Sequence, residues 1–173
     1  MWRLTFVIFL FIFSSCGSLS WKSPENKVAE LEEVLEVSQA SFHEIDTVWM
    51  YDSFDEINKN IEELKKLNIN DSLPLFAEYK ILKEALKEFM KARPVLGEEL
   101  VFCKLQLINL KSDVGNGYLD EKEFESNFAI EKKAVHRISD KTEVYYSGFL
   151  KFKDKFNKSD SEFNSLINSL KHK

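Results

Sequence analysis

Apolar residues recur along most of this chain at alternating steps of three and four, the spacing that lines one face of a helix. In the first stretch Val28, Leu31, Leu35, Phe42 and Ile45 share a face, with Ser38 at one polar position of the stripe. Around Asp46-Thr47 the phase slips by about one residue, and the stripe resumes as Met50, Phe54, Ile57, Ile61 and Leu64. The slip predicts either a kink or a true turn with Asp46 as a new N-cap. A second stretch reads Leu75, Tyr79, Leu82, Leu86, Phe89, Arg93, Leu96, Leu100, Cys103, Leu107, Leu110 and Val114. Pro94 interrupts it, yet the phase holds across the proline, so a kink is expected there rather than a reversal. Arg93, the charged position of this stripe, is placed to meet a carbonyl freed by the proline. The third stretch reads Phe124, Phe128, Glu131, Val135, Ile138, Thr142, Tyr145, Phe149, Phe152 and Phe156, and runs in phase through Ser159 to Phe163, Leu166 and Leu170.

Punctuation between the stripes fits the same reading. Ser23-Pro24 is an N-cap followed by proline at the first helical position. Turn residues fill 68–72, and Gly115-Asn116-Gly117 precedes a capping box at Asp120-Glu121-Lys122-Glu123. A repeat of seven held this long favours left-handed coiled-coil packing. The expected fold is all-α: an elongated antiparallel bundle of three kinked arms over 24–67, 74–114 and 120–171. Folding the first arm back at Asp46 gives the alternative, a shorter four-helix bundle. The third arm is the longest, so the apolar face of its tail, Phe163, Leu166, Ile167 and Leu170, is expected either to cap the bundle or to dock a protein partner.

The start of the chain carries a different signal. Met1-Trp2-Arg3 precedes a ten-residue, mostly apolar run from Leu4 to Phe13 and then Ser14-Ser15-Cys16. The run is short for a membrane span, which takes roughly 17–25 residues, and its layout is that of an export signal. Phe13-Ser14-Ser15-Cys16 resembles the lipobox of bacterial lipoprotein precursors, with Phe13 where leucine is usual. The resemblance implies a signal peptide over 1–15, cleavage before Cys16, and palmitate-type acylation of Cys16 as the membrane anchor. Residues 16–23 then form the lipidated cysteine and its tether, and 24–173 the helical domain. The residue after Cys16 is Gly17 and not the aspartate associated with inner-membrane retention, so the resemblance implies the outer membrane ahead of the inner. Plain secretion as a soluble periplasmic protein is the alternative. In general pattern the body is similar to small helical lipoproteins of Gram-negative bacteria, a likeness that implies no activity.

Composition changes this picture little. Removing Arg3 with the leader leaves 23 Lys+Arg against 29 Asp+Glu, a net charge of −6 with the signs interspersed. That is no footprint for nucleic acid, and it offers no polybasic stripe for anionic lipid. His43, His136 and His172 are dispersed without metal-ligand spacing. Residues 116–123 look like the second half of a calcium loop, but Val114 stands where an early carboxylate belongs. Cys103 sits on an apolar stripe and reads as an inert core thiol. The sequence therefore predicts no catalytic residues, no metal and no cofactor. It predicts an envelope scaffold or adaptor, held to the membrane by acyl chains at Cys16, with a protein partner. The alternative is a carrier whose groove holds an apolar ligand near Phe149 and Phe152.

Overall fold

A computed structural model describes residues 23–67 and 73–171. Four helices follow in order: α1 (Pro24–His43), α2 (Thr47–Lys66), α3 (Pro74–Gly115) and α4 (Glu121–Lys171). The fold is an all-α helical bundle, in which α1 and α2 together make the first arm, α3 the second and α4 the third. Each boundary has a local cause. The Ser23 hydroxyl accepts the Asn26 amide at 3.3 Å, and Pro24 opens α1. Asp46 lies in extended backbone and its carboxylate accepts the Trp49 amide at 3.0 Å, so it starts α2 afresh. Gly117, at φ 66°, takes the left-handed conformation that lets the chain leave α3. Asp120 and Glu123 then exchange side-chain to backbone hydrogen bonds at 2.8 and 3.0 Å, closing the capping box ahead of α4.

The break at Glu44–Asp46 is a kink between collinear helices and not a reversal. Glu32 on α1 pairs with Lys111 on α3, Phe42 packs beside Gly97, and Asn60 on α2 meets Tyr79. As the number rises on the first arm it falls on the second, so α1 and α2 run one after the other antiparallel to α3. The four-helix alternative is thereby set aside. Along α4 the order is parallel: Lys27 with Glu125, Glu44 with Tyr146, Asn60 with Asp160. At 1.5 Å per residue the 51 residues of α4 make a rod about 77 Å long.

Pro94 lies inside α3, which continues through it in a single run of 42 residues. The proline removes the amide that would bond the Met90 carbonyl. The expected relief by Arg93 does not occur. Instead the Tyr145 hydroxyl donates to the neighbouring Phe89 carbonyl at 2.7 Å, while the Arg93 guanidinium stacks on the Phe42 ring at 4.6 Å and its Nε lacks a partner. Phe42 can sit there because residue 97 is glycine; a Cβ would stand 3.1 Å from its ring.

The core divides into two clusters. The one near Ser23 and the 115–120 turn is mostly aliphatic: Val28, Leu31, Leu35, Leu96, Leu100, Leu107, Leu110, Val135 and Ile138, with Cys103 among them. The far one is richer in rings: among aliphatic residues such as Ile57, Ile61, Leu64, Leu82 and Leu86 it holds Phe76, Tyr79, Phe149, Phe152, Phe156 and Phe163, with Trp49 and Phe89 packed against it.

Candidate functional site

The anchor residue Cys16 lies outside the described residues, as do His172 and the 68–72 turn. The tail predicted to bind a partner is covered in large part. Phe163 and Ile167 are buried at 4% and 8% exposure, and Leu166 packs against the same cluster. α4 does not fold back to achieve this. It runs straight, and the end of α2 runs beside it, so that Glu63, Lys66 and Leu67 face Ile167 and Leu170 across a small cleft. The Phe163 ring meets Tyr79 edge-on at 5.7 Å. Only Leu170 keeps an exposed apolar side chain, so the tail is core and not a free docking face.

Phe149 and Phe152, expected to line a ligand groove, are likewise interior. The Trp49 indole meets Phe149, Phe152 and Phe156 edge-on at 5.5, 6.1 and 5.7 Å, an arrangement that fills the space between α2 and α4. A groove does exist between arms two and three, but on their outer side. Ala85, Phe89 and Ala92 on α3 and Val144, Tyr145 and Gly148 on α4 line it, under a rim of Glu88, Arg137, Asp140 and Lys141. Its volume is about 820 Å³. Small residues at 85, 92 and 148 create the depression, and the Phe89 and Tyr145 rings form its floor.

Sequence reasoning followed one stripe per helix and so missed a second. On α3 the residues flanking the groove fall at Ile81, Ala85, Glu88, Ala92, Val95, Glu99 and Phe102, again in steps of four and three. On α4 they fall at Ile130, Ala134, Arg137, Lys141, Val144, Gly148 and Lys151. The large apolar members are exposed: Ile81 61%, Val95 55%, Phe102 61%, Ile130 63% and Val144 72%. The charged members are acidic on α3 and basic on α4. Farther round α3, Val101, Leu105 and Ile108 are exposed as well, so between Val95 and Leu110 this helix shows apolar side chains to solvent on two flanks besides its buried stripe. A helix of that kind is ordinarily covered.

A polar network, also missed, crosses the ring-filled cluster. Buried Asn60 donates to the Tyr79 hydroxyl at 3.1 Å and to Asp160 at 3.2 Å, and the Tyr79 hydroxyl reaches the Ser159 carbonyl at 3.4 Å. Burial drives the Tyr79 phenol far above its usual range. Burial and the Asp160 charge raise Glu56 beside it. This network holds three arms in register and has no opening to a ligand.

Burial, then the Glu131 charge, raises the Cys103 thiol, which keeps it protonated and unreactive. Burial pushes Tyr145 up to about 12. His43 and His136 are exposed. Among the described residues no three His, Cys, Asp or Glu side chains are placed to hold a metal ion, and no helix is long and apolar enough to cross a membrane. Comparison with protein families, with curated proteins and with solved structures finds no match.

Proposed function

We propose that the protein is a lipid-anchored envelope adaptor: a stiff helical rod, tethered through Cys16, that acts by protein contact rather than by catalysis. The observation that carries the reading is the distribution of apolar surface. Among the described residues α3 carries more exposed large hydrophobic side chains than any other helix, Ile81, Val95, Val101, Phe102, Leu105 and Ile108, and α4 adds Ile130, Val144 and Leu150. Patches of this kind on an otherwise charged surface mark interaction sites. The contact face lies along the side of the rod, at Val101, Leu105 and Ile108, and not at the distal tail. Pro24, at the start of α1, lies beside Val114 and Leu119, and this face stands within about 20 Å of Val114 along α3, counting 1.5 Å per helical residue. That is close enough to meet a partner at the membrane surface, with the outer membrane favoured by the residue after Cys16.

The experiment has two arms. Mass spectrometry of the mature N-terminal peptide from a Gram-negative host is expected to find an acylated Cys16, lost in Cys16→Ala. An unmodified peptide cut elsewhere removes the anchor and leaves a soluble secreted rod. Cross-linking in envelopes is expected to join wild type to a defined partner and to fail for Leu105→Glu. Equal cross-linking of both removes the assigned face.

The groove over Phe89 and Tyr145 favours a second reading, a carrier of an apolar ligand. Its floor is aromatic and its volume suits a small molecule. Native mass spectrometry of the purified protein distinguishes the two: a bound small molecule that is lost when Gly148→Leu fills the groove supports the carrier.

A further inference from the structure

We propose that the groove between α3 and α4 is the self-association face of the protein, and that a second copy packs there in parallel to complete a four-helix core. The two outer seams specify this pairing whether or not Cys16 is acylated. Each seam repeats in steps of four and three over three heptads, the pattern that knobs-into-holes packing requires. The inner stripes of both helices are already used by the core, so the large apolar members of the outer seams stay exposed among the described residues.

Charge chooses the occupant. The α3 seam contributes Glu88 and Glu99, and the α4 seam Arg137, Lys141 and Lys151. Glu99 is bonded to Lys141 across the groove and Glu88 only to exposed Lys91, while Arg137 and Lys151 have no ion pair among the described residues. A second copy related by a twofold axis along the rod lays its α4 over the first α3, and the reverse. Acidic seam then meets basic seam twice, which is the self-complementarity a twofold interface needs. Turning the second copy end for end puts α3 on α3 and α4 on α4, like charge on like.

Register follows from the pairs Glu99–Lys141 and Phe89–Gly148, which fix the relative height of α3 and α4. A twofold axis along the rod preserves height. Val95 therefore stands opposite Val144 of the other copy, Glu88 opposite Lys151, and Phe102 opposite Arg137, where a guanidinium can stack on the ring. Ala85, Ala92 and Gly148 let the helices approach closely. The seams run 21 residues, about 32 Å, and two helix widths add about 20 Å, giving a face of about 640 Å². That is near the lower bound of a stable interface, roughly 600 Å² per partner. In this arrangement both chain starts lie at the same end, as two copies on one membrane require.

The test uses the processed protein in detergent and its Cys16→Ala form in buffer. Both are expected to sediment at twice the chain mass at tens of micromolar. Val144→Glu, at a 72%-exposed position, is expected to weaken association by about 100-fold with unchanged helical circular dichroism. In a Cys103→Ala background, Val95→Cys and Val144→Cys chains are expected to form a disulfide-linked pair when mixed, and neither alone. Chain-mass sedimentation of the wild type overturns the proposal, as does a dimer seen only in the lipidated form, which reports shared micelles. Cross-linking of Val95→Cys to itself overturns the parallel arrangement. A monomer carrying a bound small molecule gives the groove to a ligand instead.

Discussion

The two halves of the rod solve the same packing problem with different materials. Near the tether, α1 lies close to both α3 and α4, and the space between them is filled mostly by aliphatic side chains and Cys103, with the Phe42 and Phe124 rings at its two ends. In the far half α2 packs against α3 but is held off α4 by large rings, with Trp49, Phe149, Phe152 and Phe156 bridging the gap. The change of material falls at one level, where Glu44–Asp46 breaks the first arm, Pro94 interrupts α3, and Arg93 stacks on Phe42. Branched aliphatics allow a narrow seam between three close helices. Rings widen it. The buried polar groups of the near half, Ser38 and Thr142, each bond a carbonyl of their own helix, whereas in the far half Asn60, Tyr79 and Asp160 bond one another across three arms.

The sharpest way to break the comparison is to empty a site in each half. Phe149→Ala is expected to cost about 3–5 kcal/mol, because the ring contacts with Trp49 and Phe89 are lost and the widely spaced helices cannot close on the void. Leu107→Ala, in the narrow half, is expected to fall towards the lower end of the roughly 2–5 kcal/mol found for leucine, since its close-set neighbours relax into a smaller gap. Urea unfolding of both variants measures the difference; equal losses would remove the contrast between the halves. Next in size, Asn60→Ala is expected to cost about 1–3 kcal/mol, as it strips the Tyr79 hydroxyl and Asp160 of a buried donor. Asn60→Leu costs less if packing replaces the network, and hydrogen exchange in α2 reports whether register is lost with it.

Much of this was legible in the sequence and some was not, for physical reasons. The heptad stripes gave the three arms, because burial on one helical face imposes the spacing directly. The phase slip at Asp46-Thr47 and the continuous phase across Pro94 both survived into the structure as a break and an unbroken helix. The fate of the tail was misread. A helix longer than its partners looks unpaired in sequence, whereas the end of α2 continues beside it and buries Phe163 and Ile167. The outer seam was passed over because Ala85, Glu88 and Ala92 read as ordinary solvent-facing helix residues. Its signal was present in the four-three spacing that links them to Ile81, Val95 and Phe102. The Asn60 network was hidden more deeply: its members lie on three arms, and nothing local to any one of them announces the others. Cys16 lies outside the described residues, so the anchor stands on the lipobox resemblance alone.

At the junction between the halves, Asp46→Ala is expected to cost about 1 kcal/mol, since the carboxylate accepts the Trp49 amide and starts α2. The loss should appear as faster exchange in the first turn of α2, beside Trp49, with α1 unaffected. Equal fraying of α1 would mean that the first arm behaves as one helix across the break.

The smallest effect separates the halves by charge. Glu131 occupies a stripe position in the aliphatic half and is raised by burial; Glu56 is raised by burial and by Asp160 in the polar half. For a carboxyl whose folded value lies above its unfolded one, the folded state binds the extra proton in the window between the two. Stability contributed by the group therefore falls as pH rises through that window and stays low above it. Glu131→Gln removes the titration, so the variant is expected to be more stable than wild type at neutral pH by a few tenths of a kcal/mol. The advantage should shrink as pH falls towards the ordinary carboxyl value of 4.5. Glu56→Gln is expected to follow the same sign, with the Asp160 charge adding to burial there and Lys59 opposing it. Urea midpoints for both variants between pH 4.5 and 7 decide the point. A Glu131→Gln advantage that does not depend on pH would place its origin in packing, and the aliphatic half would then differ from the far half in shape alone.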